Sequence, residues 1–151
     1  VAALRNGGRD AYGMIPEPRI SDGSGLPCRH CLKPIAAGRP YLLLAWRPFP
    51  VPQPYAETGP VFLCADCARA PDGATLPAIL DSPDYIIRGY DADHRIVAGT
   101  GRVVPTPAIP AEARATLDDP GVCYIHVRSA RNNCYQVRID RNPLAQPHRQ
   151  R

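Results

Sequence analysis

The chain holds one lysine, one methionine, one tryptophan and two phenylalanines among its 151 residues. It is also short of large apolar side chains: 11 Leu, 10 Ile, 9 Val and 2 Phe make 32 in all. That is close to the composition below which a charged chain stops forming a core. A domain so thinly supplied gains from a covalent or metal staple. No apolar run approaches the roughly 18 residues a membrane-spanning helix needs, and the longest, "YLLLAW" at 41–46, has the length of a strand. The opening "VAALRNGGRD" is too short and too weakly apolar for an export signal. The expected compartment is therefore the cytoplasm, where disulfides are rare.

Charge of one kind is scarce as well. Against the single Lys33 stand 17 arginines, scattered without a block of like charge, for a net charge of +4. Such an imbalance reads as codon bias of a GC-rich genome, and it does not make the footprint of a nucleic-acid binder. Only "HRQR" at 148–151 is locally basic.

What the chain does have is proline and cysteine, 19 and 6 of them. Residues 1–14 read as a flexible arm, 15–141 as a single α+β domain and 142–151 as a basic tail. Strands are expected at 41–46 and 61–63, with a stiff proline-rich loop over 47–60 between them. Further strands are expected at 85–90, 95–104, 122–129 and 134–140. The alanine-rich stretch between Pro107 and "DDPG" predicts a helix of two to three turns. "DADH" at 91–94 could be a metal or acid–base cluster of Asp91, Asp93 and His94, but turn formation explains it more cheaply.

Cys28 and Cys31 form one C-x2-C pair, and Cys64 and Cys67 another. Two such turns supply the four thiolates that a structural zinc takes as a closed tetrahedron. The 32-residue spacer exceeds the common spacing of roughly 15–20. It contains a complete hairpin, however, and a hairpin returns its two ends to one place. Arg29, His30, Lys33 and Arg69 are placed to offset the site's excess negative charge, and His30 could replace one sulfur. Free redox-active thiols and disulfides are the competing readings.

The last hairpin carries the other candidate chemistry. Period-two alternation separates Cys123, Ile125 and Val127 from Tyr124, His126 and Arg128. Matching apolar to apolar predicts pairs 123/139, 125/137 and 127/135, closed by a turn at 129–133. Tyr124, His126, Arg128, Cys134, Gln136 and Arg138 then share one polar face, and Cys123 becomes a small core residue. A thiol, an imidazole and two guanidiniums together could bind a small anionic ligand, or run cysteine chemistry with Cys134 as nucleophile and His126 as proton carrier. A plain sheet surface, either solvated or covered by the arm or the helix, is the alternative.

From about residue 15 to 141 the chain resembles the family catalogued as domain of unknown function 1203. The segments that carry the likeness are "PCRHCLKPIAAGRPYLLLAWRPF", "PYAETGPVFLC", "GYDADHRIVAGTG" and "VCYIHVRSARNNCYQVRID". The resemblance implies one α+β domain, no established activity, and other residues at the cysteine positions in many members. The metal would then be a replaceable staple. The expected fold is a mainly antiparallel sheet with a short helix and a zinc-stapled N-terminal hairpin. The expected role is a non-catalytic binding or interaction module; the rival is a small cysteine-dependent enzyme acting on an anionic substrate.

Overall fold

The computed structural model describes residues 1–142, so the basic end at 148–151 lies outside the described residues. Two antiparallel sheets form. The first has the order β1–β2–β3, with β1 at Glu17–Ile20, β2 at Pro40–Trp46 and β3 at Gly59–Cys64. The second has the order β5–β4–β6–β7, with β4 at Asp84–Tyr90, β5 at Arg102–Pro105, β6 at Tyr124–Ser129 and β7 at Tyr135–Asp140. The helix read from the alanine-rich stretch is α2, Ile109–Leu117, which a short 3-10 turn at Thr106–Ala108 leads into. Pro at its first turn is tolerated because that position has no intrahelical acceptor to lose.

Cohesion is uneven between the sheets. Helix α2 packs Ile109 and Ala113 on the second sheet, in an eleven-residue buried cluster with Ile87, Val104, Val122, Ile125, Val127 and Val137 among its members. The first sheet rests on five buried residues, Cys28, Ile35, Leu44, Val61 and Leu63, one of them a cysteine. At about 1.5–3 kcal/mol per buried aliphatic side chain, the second sheet has by far the larger apolar term. The thin first sheet is the part that needs a staple.

Three expectations change here. The segment read as a loose arm carries a short helix, α1 at Ala2–Arg5, and the extended stretch after it supplies β1. A strand containing Pro18 is tolerated because it lies at a sheet edge, paired only to β2. The expected strand 95–104 is β5 alone; before it the chain turns, held by Thr100. Its hydroxyl accepts from the Gly89 amide at 2.9 Å and donates to the Val97 carbonyl at 2.7 Å. Cys123 is exposed, and Val122 takes the core position instead.

The last hairpin forms, but in a different register. Its pairs are Ile125↔Ile139, His126↔Arg138 and Val127↔Val137, slipped by two residues from those expected. A bulge between Val127 and Arg128 then sets Arg128 opposite Tyr135. Slipping by two still matches apolar to apolar, so the pattern alone could not tell the two registers apart. The bulge inserts one residue, which changes which side chains face His126.

Candidate metal centre and the adjoining cleft

In the β2–β3 hairpin, Tyr41 pairs with Cys64. The segment before β2 and the segment after β3 therefore leave from the same end. The first cysteine turn runs along the outer edge of β3: the Arg29 amide donates to the Phe62 carbonyl at 3.0 Å, and Leu32 donates to the Cys28 carbonyl at 3.0 Å. The second turn is tied to the first, with Ala70 donating to the His30 carbonyl at 2.9 Å. The result is one cluster: the sulfurs of Cys28, Cys31, Cys64 and Cys67 all lie within 4.8 Å of one another. Cys28 and Cys67 are 3.8 Å apart, sulfur to sulfur. That is far beyond the ~2.05 Å of a disulfide bond, and none of the six cysteines is in a disulfide. The arrangement can hold a metal ion.

The surroundings favour ionisation of one sulfur and oppose it at two others. Burial raises the pKa of the Cys28 thiol, but amide donors from Cys64, Cys31 and His30 outweigh it and bring it down to about 7. Burial, and then the neighbouring Cys28, push Cys67 up to about 11 and Cys64 up further still. Four crowded thiols resist ionising together unless a cation sits among them. Of the basic residues expected to help, His30 places Nδ1 3.4 Å from the Cys67 sulfur. Arg29 and Arg69 are engaged elsewhere. Arg5, which sequence reasoning missed, donates to the Cys67 sulfur at 3.1 Å and to the Cys64 and Cys67 carbonyls at 2.9 and 3.2 Å. Helix α1 thus caps the cluster from the far end of the chain.

The face of the second sheet opposite α2 is buried rather than solvated. Tyr124, His126, Arg128 and Gln136 are all buried there, with His126 fully so. The cover is the proline-rich loop. Its Phe49 ring lies 5.0 Å from the His126 ring and 5.2 Å from Tyr90, and Gln53 donates to the His94 carbonyl at 2.7 Å. Tyr90, Tyr124 and Tyr135 complete the aromatic box around His126, at centroid distances of 4.8, 5.2 and 4.9 Å. Neither ring nitrogen of His126 has a hydrogen-bond partner among the described residues. Burial, followed by the charges of Arg128, Arg138 and Arg88, pushes its pKa down to about 3.

The residues expected on one polar face are only partly brought together. Tyr135 meets the His126 ring. Cys134, out of step after the bulge, turns its thiol toward the Asn132 carbonyl at 3.7 Å. Gln136, at the bulge, donates to the Cys134 carbonyl at 3.2 Å. Arg138 lies over the Tyr124 ring, 3.8 Å from its centroid, and pairs with Asp140 at 2.8 Å. Arg128 converges instead with Arg88, and the point of convergence is Glu57, at 2.8 and 3.1 Å. Glu57 is the only acidic residue of loop 47–60; that was the available signal. Asp91 and His94 serve structure: Asp91 accepts from the Asp93 and Arg95 amides, and His94 shares a 2.9 Å hydrogen bond with the Tyr124 hydroxyl.

Between the sheets opens a cleft of about 320 Å³, with Trp46, Glu57, Arg128, Asn133, Cys134 and Tyr135 among its walls. Arg29, from inside the first cysteine pair, reaches across to it: its Nε donates to the Tyr135 carbonyl at 2.7 Å. One turn of the cysteine cluster is therefore fastened directly to a wall of the cleft.

Fold and cluster together define a small two-sheet α+β protein with a four-cysteine site of the metal-binding type. The family model described as "Protein of unknown function (DUF1203)" matches residues 25–141, and the chain belongs to that family. No curated protein matches the chain. No solved structure matches it either. Among the described residues, no helix is long and apolar enough to cross a membrane.

Proposed function

We propose that the chain is a non-catalytic binding module for a small anionic ligand, organised by a structural zinc. Zinc suits the cluster because bonds of ~2.3 Å in a tetrahedron put sulfurs about 3.8 Å apart, the separation between Cys28 and Cys67. With four thiolates the ion has no open position, so its part is to hold the first sheet together. A reducing compartment, the cytoplasm, suits the four thiols.

The observation that carries the ligand reading is Arg128. It is 3% exposed, lies in the wall of the cleft, and leaves Nε and Nη2 without hydrogen-bond partners among the described residues. A buried guanidinium with unused donors is costly unless something negative answers it. The competing enzyme reading needs Cys134 beside His126, but the Cys134 thiol is directed at the Asn132 carbonyl and the His126 ring is enclosed by Phe49, Tyr90, Tyr124 and Tyr135. Melting in rising sulfate tests the proposal. An anion that binds the fold should raise the melting temperature by mass action, and Arg88→Gln should reduce the rise; no rise with any small anion would overturn it.

A smaller prediction concerns α1. Arg5→Ala removes the donor to Cys67 and both carbonyl contacts. Outer contacts of this kind are worth about 10–100-fold in metal affinity. Competition against a chromophoric chelator should show a loss in that range, and unchanged affinity would show that the cap is ornamental.

A further inference from the structure

Glu57 is held by charge more than by alignment. Its Oε1 accepts from Arg88 Nη1 at 3.1 Å. Its Oε2 sits 2.8 Å from Arg128 Nη1 but has no aligned hydrogen bond; that nitrogen donates to the Asn133 carbonyl, also at 2.8 Å. One carboxylate thus spans two guanidiniums with one good contact and one poor one. Two further nitrogens of Arg128, Nε and Nη2, remain buried without partners. Counted as formal charge, the pair of arginines exceeds Glu57 by one. The same Glu57 also lines the cleft and belongs to the loop that covers His126.

We infer that Arg88 and Arg128 form a carboxylate-binding site whose resting occupant is the chain's own Glu57, so that a small carboxylic acid entering the cleft competes with the proline-rich loop. The inference rests on the anion-binding reading above and specifies both the class of ligand and its internal competitor. A planar carboxylate fits because the two arginines approach the two oxygens of one group, one each. A cleft of about 320 Å³ accepts a short dicarboxylate, with the second acid group toward the amides of Asn132 and Asn133. Displacing Glu57 would remove the loop's ionic anchor and leave its apolar and hydrogen-bonded ones, Phe49 on His126, Gln53 on His94 and Tyr55 under Arg95, so occupancy of the site would be reported at the surface of the loop.

Succinate titrations of the parent and of Glu57→Gln, read by calorimetry and by melting temperature, test this. The amide keeps the size of the side chain but gives up its charge, so the variant should fold. Succinate should bind Glu57→Gln at least tenfold more tightly than the parent, and adding Arg88→Gln should abolish that gain. Equal binding to parent and Glu57→Gln would overturn the masking while leaving the anion site in place. Binding to neither would overturn the site itself. Inorganic phosphate binding more tightly than succinate would overturn the assignment to carboxylates.

Discussion

Cys64→Ser should unfold the first sheet at temperatures where the second is intact. The substitution removes one of four ligands and leaves the ion under-coordinated, at a cost of about 3–5 kcal/mol, the range reserved for losing a metal or a comparable network. For a chain of this size that corresponds to a fall of roughly 10 °C in melting temperature. The loss should be local because the first sheet has only five buried residues of its own, against eleven behind the second. Hydrogen exchange should accelerate first at Tyr41–Leu44 and Val61–Leu63, while Ile125 and Val127 stay protected. Removing metal from the parent with a strong chelator should reproduce the pattern. Because Arg29 fastens the first cysteine turn to the Tyr135 carbonyl, chelation should also weaken anion binding at the cleft. Unchanged unfolding of Cys64→Ser would mean that packing alone holds the hairpin.

The second large effect is loss of stability in mild acid. In the fold, burial and the nearby guanidiniums keep His126 neutral down to about pH 3. In the unfolded chain it takes up a proton near pH 6.5. Below 6.5 the unfolded state therefore binds the extra proton, and stability falls as pH drops toward 3. The slope approaches 1.4 kcal/mol per pH unit, so about 2 kcal/mol should disappear between pH 6.5 and 5, before most carboxylates titrate. His126→Phe keeps a ring in the aromatic box of Phe49, Tyr90, Tyr124 and Tyr135 and has nothing to protonate, so it should flatten this part of the profile. Chemical denaturation at a series of pH values decides the matter; an equal slope in parent and variant would place the acid sensitivity elsewhere.

The four-cysteine cluster was legible because spacing and topology are local facts. Two C-x2-C turns flanking a hairpin must meet, whatever the loop between them does. The cleft was not legible in the same way. Alternation separated Tyr124, His126 and Arg128 from Ile125 and Val127, and that division holds. It does not specify register modulo two, so the observed pairing of His126 with Arg138 was one of two equally apolar solutions. The bulge that brings Tyr135 to His126 and takes Cys134 out of step leaves no mark in a period-two pattern. Long-range cover was the larger omission. The polar face reads as solvated or as covered by the arm or the helix, whereas Phe49 and Glu57 come from a loop more than sixty residues earlier in the chain. Arg5 was hidden for the same reason, since nothing near it in sequence announces a sulfur 62 positions away.

Whether the four cysteines act as one metal site is decided by zinc K-edge absorption on protein purified without chelator under reducing conditions. It should report about one zinc per chain with four sulfur neighbours at ~2.3 Å and no nitrogen or oxygen ligand. Protein that is folded, fully reduced and free of bound metal would contradict it.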